Sequence, residues 1–540
     1  MKRTLSLLVF AIFVTFPLAI FSQTSIIQDS KLEIPNYKMK LSDQFPIFEN
    51  EDHFVQYHMA FGYGTMNDYH ALIFYNKSRK TIYEEKLTLP VGCRYICSQV
   101  TGSEITLFYY KIDRKVQKCT IYSATASLSR SSNGIQNITP EEITSYKLTK
   151  KTEVMTFSTQ SPDKNKNAFA VAFIEGNNLL KGIHIHTFGD QSQLLWSNYY
   201  TPELKGNYFS IEDVKISNKG KVLVLFSTAV NEKKKILNSV AQLISFNNQD
   251  VVTMEYPSKI GTFTSMRMLV QRNGNYMVAG YYSDKKYKTA GYFTAVFDER
   301  AEDLRYSNVH AFEFAKKTTT ESDINPNWTS VCHQLYELDN DFMAMIGEQI
   351  DSQVSVDAES GEKTYTYTNG NILCTLFSNE GTNAGTESIR KQQTAIVEQP
   401  LTYKDRGERH NSGVMATLSS ASSVETFYAY HHFGLSFSTL VKGHEFYFIY
   451  ADNINNYNDK KNAEEWQTWE LDKYKEHCLV MAKLANIGDV ERKVLMLPAK
   501  QPRIFNTTWF VDDMRAFIGV YNKKSYNLYH FDIDGQWDWD

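Results

Sequence analysis

The chain of 540 residues carries a formal charge of −4, with 42% hydrophobic and 14% aromatic residues, 34 Tyr and 33 Phe against 12 Pro and 26 Gly. Near-balanced charge gives no electrostatic footprint for nucleic acid, and ordinary hydrophobic content excludes both a disordered chain and one embedded in a membrane. Aromatic enrichment favours half-buried pleated surfaces and moves the expectation to an all-β fold.

Met1-Lys2-Arg3 is a short basic region, Leu5 to Phe21 is nearly all apolar, and Ser22 followed by Gln23 offers a small residue at a cut. This pattern predicts a secretory signal peptide over 1–22. The alternative is an uncleaved anchor, since the apolar run of about 17 residues approaches the length that spans a bilayer, and Pro17 argues for cleavage. No Cys lies at the cut, which argues against a lipid-anchored end. No uninterrupted apolar run of spanning length follows Phe21, so residues 23–540 are expected to be one secreted or periplasmic domain without a transmembrane segment. The six cysteines, Cys93, Cys97, Cys119, Cys332, Cys374 and Cys478, are too sparse for a disulfide scaffold. Buried free thiols are the plainer reading.

The lead-in from Ser25 to Asn50 has no clear period and is expected to supply an edge strand that closes the fold against the C-terminus. A first unit starts near His53, with FVQYHMAFGYG, a turn at Asn67-Asp68, ALIFYN and KTIYEEKLTL. CRYICSQV, the turn Thr101-Gly102-Ser103, ITLFYYKI and QKCTIYSATASL form a second, followed by a polar loop from Ser129 to Thr139. The third runs from VMTFSTQ through the Ser161-Pro162-Asp163 turn to QLLWSNYY, and the fourth from FSIEDVKIS through Asn218-Lys219-Gly220 to VVTMEY. Phe263 to Phe312 is the clearest: four apolar runs, the first two joined at Asn273-Gly274, a pair suited to a type I′ hairpin with positive φ at both centres. A sixth begins at Trp328 and turns at Asp339-Asn340. A polar, irregular stretch from Ser388 to Ser423 then breaks the spacing, as loops of this length are functional or disordered. The seventh turns at Lys442-Gly443-His444 and carries an insertion over 452–476; the last turns at Asp512-Asp513.

In the middle of the chain these turns recur at intervals of roughly 50 residues, the length of a four-stranded blade. The expected fold is therefore a β-propeller of four-stranded blades, eight or alternatively seven, with stacked β-sandwich domains as the competing arrangement. The interval from Asn67 to Gly102 is too short for a full blade. The texture of SPDKNKNAFAVAF and QRNGNYMVAGYY, closing with AVFDER, resembles that of exported bacterial propellers of the TolB-like and kelch-like kind. Lys164 stands where a glycine would follow Asp163, and no kelch Gly-Gly pair is present. The resemblance implies a propeller without fixing a function.

Chemistry-bearing motifs are few. Gly434-Leu435-Ser436-Phe437-Ser438 lacks the second Gly of a nucleophile elbow and reads as a strand. There is no H-E-x-x-H and no cysteine pair at zinc-ribbon spacing. His184 and His186 share one face of a strand and can both ligate a metal, but no third ligand is identifiable, and a cross-strand or exposed pair is commoner. His431-His432 point to opposite faces. Asp452, Asn453, Asn455 and Asp459 concentrate oxygen ligands suited to calcium, without the glycine and alternation of an EF-type loop. AEEWQTWELDKYKEH is expected to be a short helix with Trp466 and Trp469 on one side. With 61 acidic residues the sequence nominates no carboxylate pair for glycoside chemistry. The leading expectation is a non-enzymatic propeller that binds a protein, peptide or glycan, decorated by the insertions over 388–423 and 452–476. Its competitors are a carbohydrate-active enzyme with acids in the central channel and a structural subunit of a cell-envelope assembly.

Overall fold

A computed structural model describes most of the chain between residues 27 and 533. Residues 1–26, 34–42, 61–68, 128–139, 230–238, 315–322, 398–436, 458–465 and 534–540, with a few shorter loops, lie outside the described residues, and with them the expected signal peptide, the Asn67-Asp68 turn and His431-His432.

The described strands form eight sheets, numbered here in chain order. Sheet 1 comprises Asp43–Glu49, His53–Ala60, Tyr69–Asn76 and Thr81–Lys86, and sheet 2 Cys93–Thr101, Glu104–Asp113, Lys118–Ser127 and Glu141–Lys147. Sheet 3 is Thr152–Gln160, Asn167–Glu175, Leu179–Phe188 and Leu194–Tyr200; sheet 4 is Tyr208–Ile216, Val222–Ala229, Ser239–Asn247 and Asp250–Pro257; sheet 5 is Thr262–Val270, Tyr276–Ser283, Gly291–Phe297 and Leu304–Ala311. Sheet 6 begins with Thr329–Glu337, Phe342–Val356 and Lys363–Ser378, and sheet 7 contains Phe437–Lys442, Glu445–Asn453, His477–Asn486 and Asp489–Met496. Sheet 8 joins Ile504–Phe510, Arg515–Asn522 and Ser525–Asp532 to Ile27–Glu33 from the far end of the chain.

This is a β-propeller: consecutive meanders packed face to face, each burying on its neighbours the surfaces it cannot bury alone. Phe108 and Phe169 meet between sheets 2 and 3, Ile185 and Phe226 between 3 and 4, Leu225 and Phe293 between 4 and 5. Tyr281 and Met345 continue the series between 5 and 6, Ile346 and Phe448 between 6 and 7, and Tyr447 and Ile518 between 7 and 8. Inner strands are buried on both faces, so they read as unbroken apolar runs: every residue of Gly291–Phe297 is buried. Fourth strands are largely exposed, as in Leu304–Ala311 and Glu141–Lys147. The latter, EEITSYK, has too little apolar content to announce itself as a strand.

The hairpin at Asn273-Gly274 is not type I′. Among the described residues Asn273 is not at positive φ, whereas Gly274 has φ 88°. Gly274 N donates to Gln271 O at 2.9 Å, and Gln271 N donates to Asn275 O at 2.8 Å. This is a turn ending in one left-handed residue, a longer hairpin loop in which only that position needs glycine-like freedom. The same loop recurs in sheets 4 and 6, where Ser217 N donates to Lys221 O and Leu338 N to Phe342 O and the left-handed position is Gly220 and Asp341; in sheet 3 Ser161 N donates to Lys166 O, one residue further on, with Lys164 left-handed. Neighbouring loops are tied: Asp163 N donates to Asn218 Oδ1 at 3.1 Å and Arg272 N to Glu337 Oε2 at 2.7 Å.

The lead-in supplies the closing strand as expected, and a second one besides. Ile27–Glu33 runs antiparallel to Ser525–Asp532, while Asp43–Glu49 is the first strand of sheet 1. The closing pair has six register positions. At roughly one ladder hydrogen bond each, worth about 0.5–1.5 kcal/mol net, deleting residues through Glu33 is expected to cost on the order of 3–9 kcal/mol in denaturant unfolding. An unchanged midpoint would show that the ring does not depend on this strand.

Candidate functional site

The first strands of successive sheets are neighbours, and six of the eight carry a register shift against their second strand, at Pro46/Phe48, Tyr95/Cys97, Ile211/Asp213, Phe263/Ser265, Cys332/Gln334 and Phe505/Thr507. Such bulges re-aim the side chains around them. Just after its bulge, Asp213 accepts from Met268 N of the next first strand at 2.9 Å, and Ser265 Oγ accepts from Cys332 N of the next at 3.1 Å. Arg267 lies between, donating from Nη1 to Glu212 O at 2.7 Å and from Nε to His333 O at 3.1 Å. Glu212, Asp213 and Arg267 are all buried. Burial pushes the Glu212 carboxyl above its ordinary range, against the Ser210 hydrogen bond and the Arg267 charge.

This polar seam ends in sheet 6, where the two predicted insertions meet. The stretch expected to be irregular from Ser388 opens with strand instead. Asn383–Ile389 and Gln393–Val397 both pair with the long third strand Lys363–Ser378, covering different halves of it. Trp469–Glu470, from the second insertion, runs parallel to Gln393–Val397, and Trp469 N donates to Gln392 O at 3.0 Å. The expected helix is therefore absent among the described residues: Trp469–Glu470 is extended and only Tyr474–Glu476 makes a short 3-10 turn. Pairing with the edge strand Gln393–Val397 holds Trp469–Glu470 extended.

Beneath this edge lies a buried ion pair. Lys391 Nζ contacts Glu348 Oε1 and donates to Gln393 Oε1 at 2.9 Å; Gln393 Nε2 in turn donates to Ala451 O at 2.6 Å. His333 Nε2 is 3.3 Å from the other Glu348 oxygen. Burial alone would raise the Glu348 carboxyl, but the Lys391 ammonium and His333 outweigh it and hold it at about 2. Burial lowers Lys391, with Glu348 opposing.

Of the four residues expected to hold calcium, Asp452 and Asn453 end the second strand of sheet 7, Asn455 lies in the 3-10 turn Ile454–Tyr457, and Asp459 is outside the described residues. Asp452 Oδ1 accepts from Asn453 N at 2.7 Å and Asn456 Nδ2 at 3.0 Å, and Oδ2 from Tyr457 Oη at 2.5 Å. Asn453 Oδ1 accepts from Asn455 N at 3.0 Å, while its Nδ2 donates to Thr468 O at 3.2 Å and Glu476 Oε2 at 2.9 Å. The oxygens of Asp452 and Asn453 thus hold the turn itself, and Asn453 Nδ2 ties it to the later part of the same insertion. Among the described residues no three His, Cys, Asp or Glu side chains are grouped to hold a metal. Trp466 lies above, half-buried, with the Arg390 and Arg492 guanidinium groups 5.4 and 5.7 Å from its ring.

His184 and His186 do share a face, in the third strand of sheet 3, together with Ser197 of the fourth strand and Tyr146 of sheet 2. The sequence paired the histidines; Tyr146 belonged to the unrecognised strand and Ser197 had no signal. Phe437–Lys442 is strand, as read for the serine motif, with residues 434–436 outside the description. All six cysteines are free, five of them buried. Among the described residues no helix is long and apolar enough to cross a membrane.

No protein-family model matches the chain, and no curated protein does. Among solved structures it is similar to the WD40 domain of SCAP from fission yeast, at 8% identity over 94% of this chain and 98% of that one, TM-score 0.35. It is also similar to the β-propeller domain of the Trilobed protease from Pyrococcus furiosus, at 9% identity over 68% and 98%, TM-score 0.32. A third is the GH93 α-L-arabinofuranosidase of Fusarium graminearum, at 8% identity over 71% and 94%, TM-score 0.31. At such scores the likeness adds nothing to the sheet topology itself.

Lys391→Met leaves Glu348 buried without its cation and is expected to destabilise by about 3–5 kcal/mol. The double variant with Glu348→Gln should recover much of that loss in a double-mutant cycle; additive losses would show that the pair is not coupled. Two pH effects of opposite sign follow. Burial raises Asp452 from 3.8 to about 6, so the native state holds this proton longer than the unfolded chain and the contribution is lost as pH rises from about 4 to 6. Glu348, depressed from 4.5 to about 2, contributes above pH 4.5 and loses it as pH falls toward 2. Urea unfolding across pH checks both: Asp452→Asn should remove the loss on the alkaline side and leave the acid limb in place.

Proposed function

We propose that the protein is an exported, non-enzymatic β-propeller that binds a macromolecular partner, a protein, peptide or glycan, at the junction of sheets 6 and 7. The apolar leader of 1–22 supports export. The observation that carries the binding reading is the state of the acidic groups around the first strands. Glu212, Asp213 and Glu348 are buried; the Asp213 carboxylate is engaged by Met268 N and the Glu348 carboxylate by Lys391 with His333, while the Glu212 carboxyl lies beside the Arg267 charge. A glycosidase needs two carboxyls facing a sugar across several ångströms of accessible space. The Asp213 and Glu348 carboxyls are instead committed to holding strands together.

The junction has what a partner surface needs. Gln393–Val397 and Trp469–Glu470, the described parts of two chain excursions, pair there with a sheet edge, the arrangement by which scaffolds present binding loops. Trp466 beside Arg390 and Arg492 supplies the aromatic and guanidinium chemistry that dominates interface energetics. The whole of 23–540 acts as one propeller domain in this reading.

Purified mature protein should be screened by thermal unfolding against glycans and peptides, with product release assayed for every glycan that binds. A ligand at about 100 times its dissociation constant adds roughly 2.7 kcal/mol. Binding without turnover, weakened at least tenfold (about 1.4 kcal/mol) by Trp466→Ala, is the expected result. Turnover of a glycan that disappears in Glu212→Gln would replace this reading with the carbohydrate-active enzyme.

A further inference from the structure

We propose that the partner is an extended peptide segment of another protein, added as an antiparallel strand to the open edge of sheet 6 at 352–356. This proposal rests on the reading that the junction of sheets 6 and 7 binds a macromolecule.

The second and third strands of sheet 6, Phe342–Val356 and Lys363–Ser378, pair to the end of the hairpin. The first strand, Thr329–Glu337, stops opposite Ile350. Beyond that point the second strand runs on to Val356, and among the described residues no strand lies on its outer side. The two edges of the lengthened hairpin are thus treated differently. On the side of the third strand the chain adds Gln393–Val397 and then Trp469–Glu470. On the side of the second, cover reaches only the base, where Asn325 N donates to Gln349 Oε1 at 2.9 Å and Lys288 Nζ to Asp351 Oδ1 at 3.1 Å. Past Asp351, alternate backbone N–H and C=O groups face outward from the ladder.

Open edges are ordinarily guarded by a charge, a proline or a bulge. Ser352-Gln353-Val354-Ser355-Val356 has no charge and no proline, and its register with the third strand is unbroken. Val354 and Val356 are each 57% exposed. They share a face with Tyr365, directly opposite Val354, and with Tyr367 and Ala395 further in. Tyr367 and Ala395 are buried in the core shared with sheet 7, and Tyr365 packs half-buried against it. A strip of apolar side chains therefore leaves the core and ends at the open edge. A strand with apolar residues opposite Val354 and Val356 extends that strip while its backbone continues the ladder. In strand addition the main-chain bonds give affinity and the alternate side chains give specificity.

Charge selects the occupant. Pairing the whole of 352–356 with a second copy of itself sets Asp351 of one chain opposite Asp357 of the other, and like charges directly opposite are destabilising. Asp351 already has Lys288, whereas Asp357 stands at the turn beside Glu362, whose carbonyl accepts from Asp357 N at 2.8 Å. The segment that fits has β-branched or apolar residues at alternate positions and a basic residue at the end that meets Asp357, its N-terminal end in an antiparallel pair.

Mature protein should be titrated, by fluorescence anisotropy, with a labelled peptide Lys-Val-Thr-Val-Thr-Val and with the same peptide carrying Glu in place of Lys. Saturable binding of the first is expected, weakened by about tenfold or more both by the Glu peptide and by Val354→Lys. Thermal unfolding checks that this exposed substitution leaves the fold intact. Two further peptides, N-methylated at the Val amides or at the Thr amides, test the ladder itself. Only one set of amides faces the host strand, so one peptide should lose binding and the other keep it. The proposal is overturned by no binding, by binding that Val354→Lys leaves unchanged, or by equal responses to the two methylation patterns. It is also overturned if sedimentation shows that the free protein dimerises and Val354→Lys separates the copies. Binding that Trp466→Ala weakens and Val354→Lys does not would remove the added strand alone and leave the junction reading in place.

Discussion

The middle of the ring, from sheet 4 to sheet 6, depends on one contact made twice: a buried polar side chain just past a bulge on one first strand accepts a backbone N–H from the first strand of the next sheet. Asp213 does this to Met268, and Ser265 to Cys332. Near the centre of a propeller, each first strand has a neighbour on one side only through its own sheet; the other edge of the ladder is open. Its N–H groups must find acceptors or bear the cost of an unpaired buried donor, about 1–3 kcal/mol each. The bulge supplies the acceptors by turning side chains out of the pleat and along the ring. Face-to-face apolar packing then adds most of the stability, but it is non-directional, and these contacts set the offset between neighbouring sheets.

The same logic explains why charges are buried at sheet 6. Its second and third strands run to Val356 and Lys363–Ser378, well beyond the length of their counterparts. A lengthened hairpin exposes an unpaired edge, and edges of that kind invite pairing. The chain covers this one with its own insertions, first Gln393–Val397 and then Trp469–Glu470. Lys391 and Glu348 sit where the returning strand crosses the sheet. A buried ion pair is a weak source of net stability yet a strong discriminator, because any slip of the returning strand separates the two charges inside a low-dielectric core.

How much of this the sequence disclosed follows from how each strand is buried. Second and third strands, apolar on both faces, were legible as runs, and the eight turn-centred units coincide with the eight sheets. The fourth strand of sheet 2 was not, because EEITSYK faces solvent. The first strand of sheet 1 was hidden in the lead-in around Pro46. That omission also accounts for the short first interval. Asn67-Asp68 falls between the second and third strands of its sheet, whereas Gly102 falls between the first and second, so the two turns are not equivalent positions. The type I′ expectation at Asn273-Gly274 failed for a local reason: the dipeptide is compatible with several loop lengths, and hydrogen bonding from Gln271 to Asn275 selects the longer one. Long-range pairings left no trace at all. Nothing in 388–397 announces the partnership with 469–470, since parallel pairing across some 70 residues is fixed by where the sheet edge lies.

Candidate chemistry divides along the same line. His184 and His186 were visible because strand periodicity alone places them on one face. Tyr146 came from the unrecognised EEITSYK strand and Ser197 from the recognised LLWSNYY strand, where a single Ser carries no signal, so only tertiary structure could join them to the pair. The Asp452 loop shows the reverse: a composition rich in oxygen ligands is explained by the loop's own closure, with Asn453 and Asn456 binding backbone of 467–468. Polar residues in this protein therefore act as fasteners that composition cannot tell from ligands. Near the ring centre Asp213 and Ser265 accept backbone N–H groups of the next sheet. At the rim of sheets 2 and 3 the hydroxyls of Ser197 and Tyr146 bridge His184 and His186, each able to donate once and accept once, and so tie the third strand of sheet 3 to its fourth strand and to sheet 2.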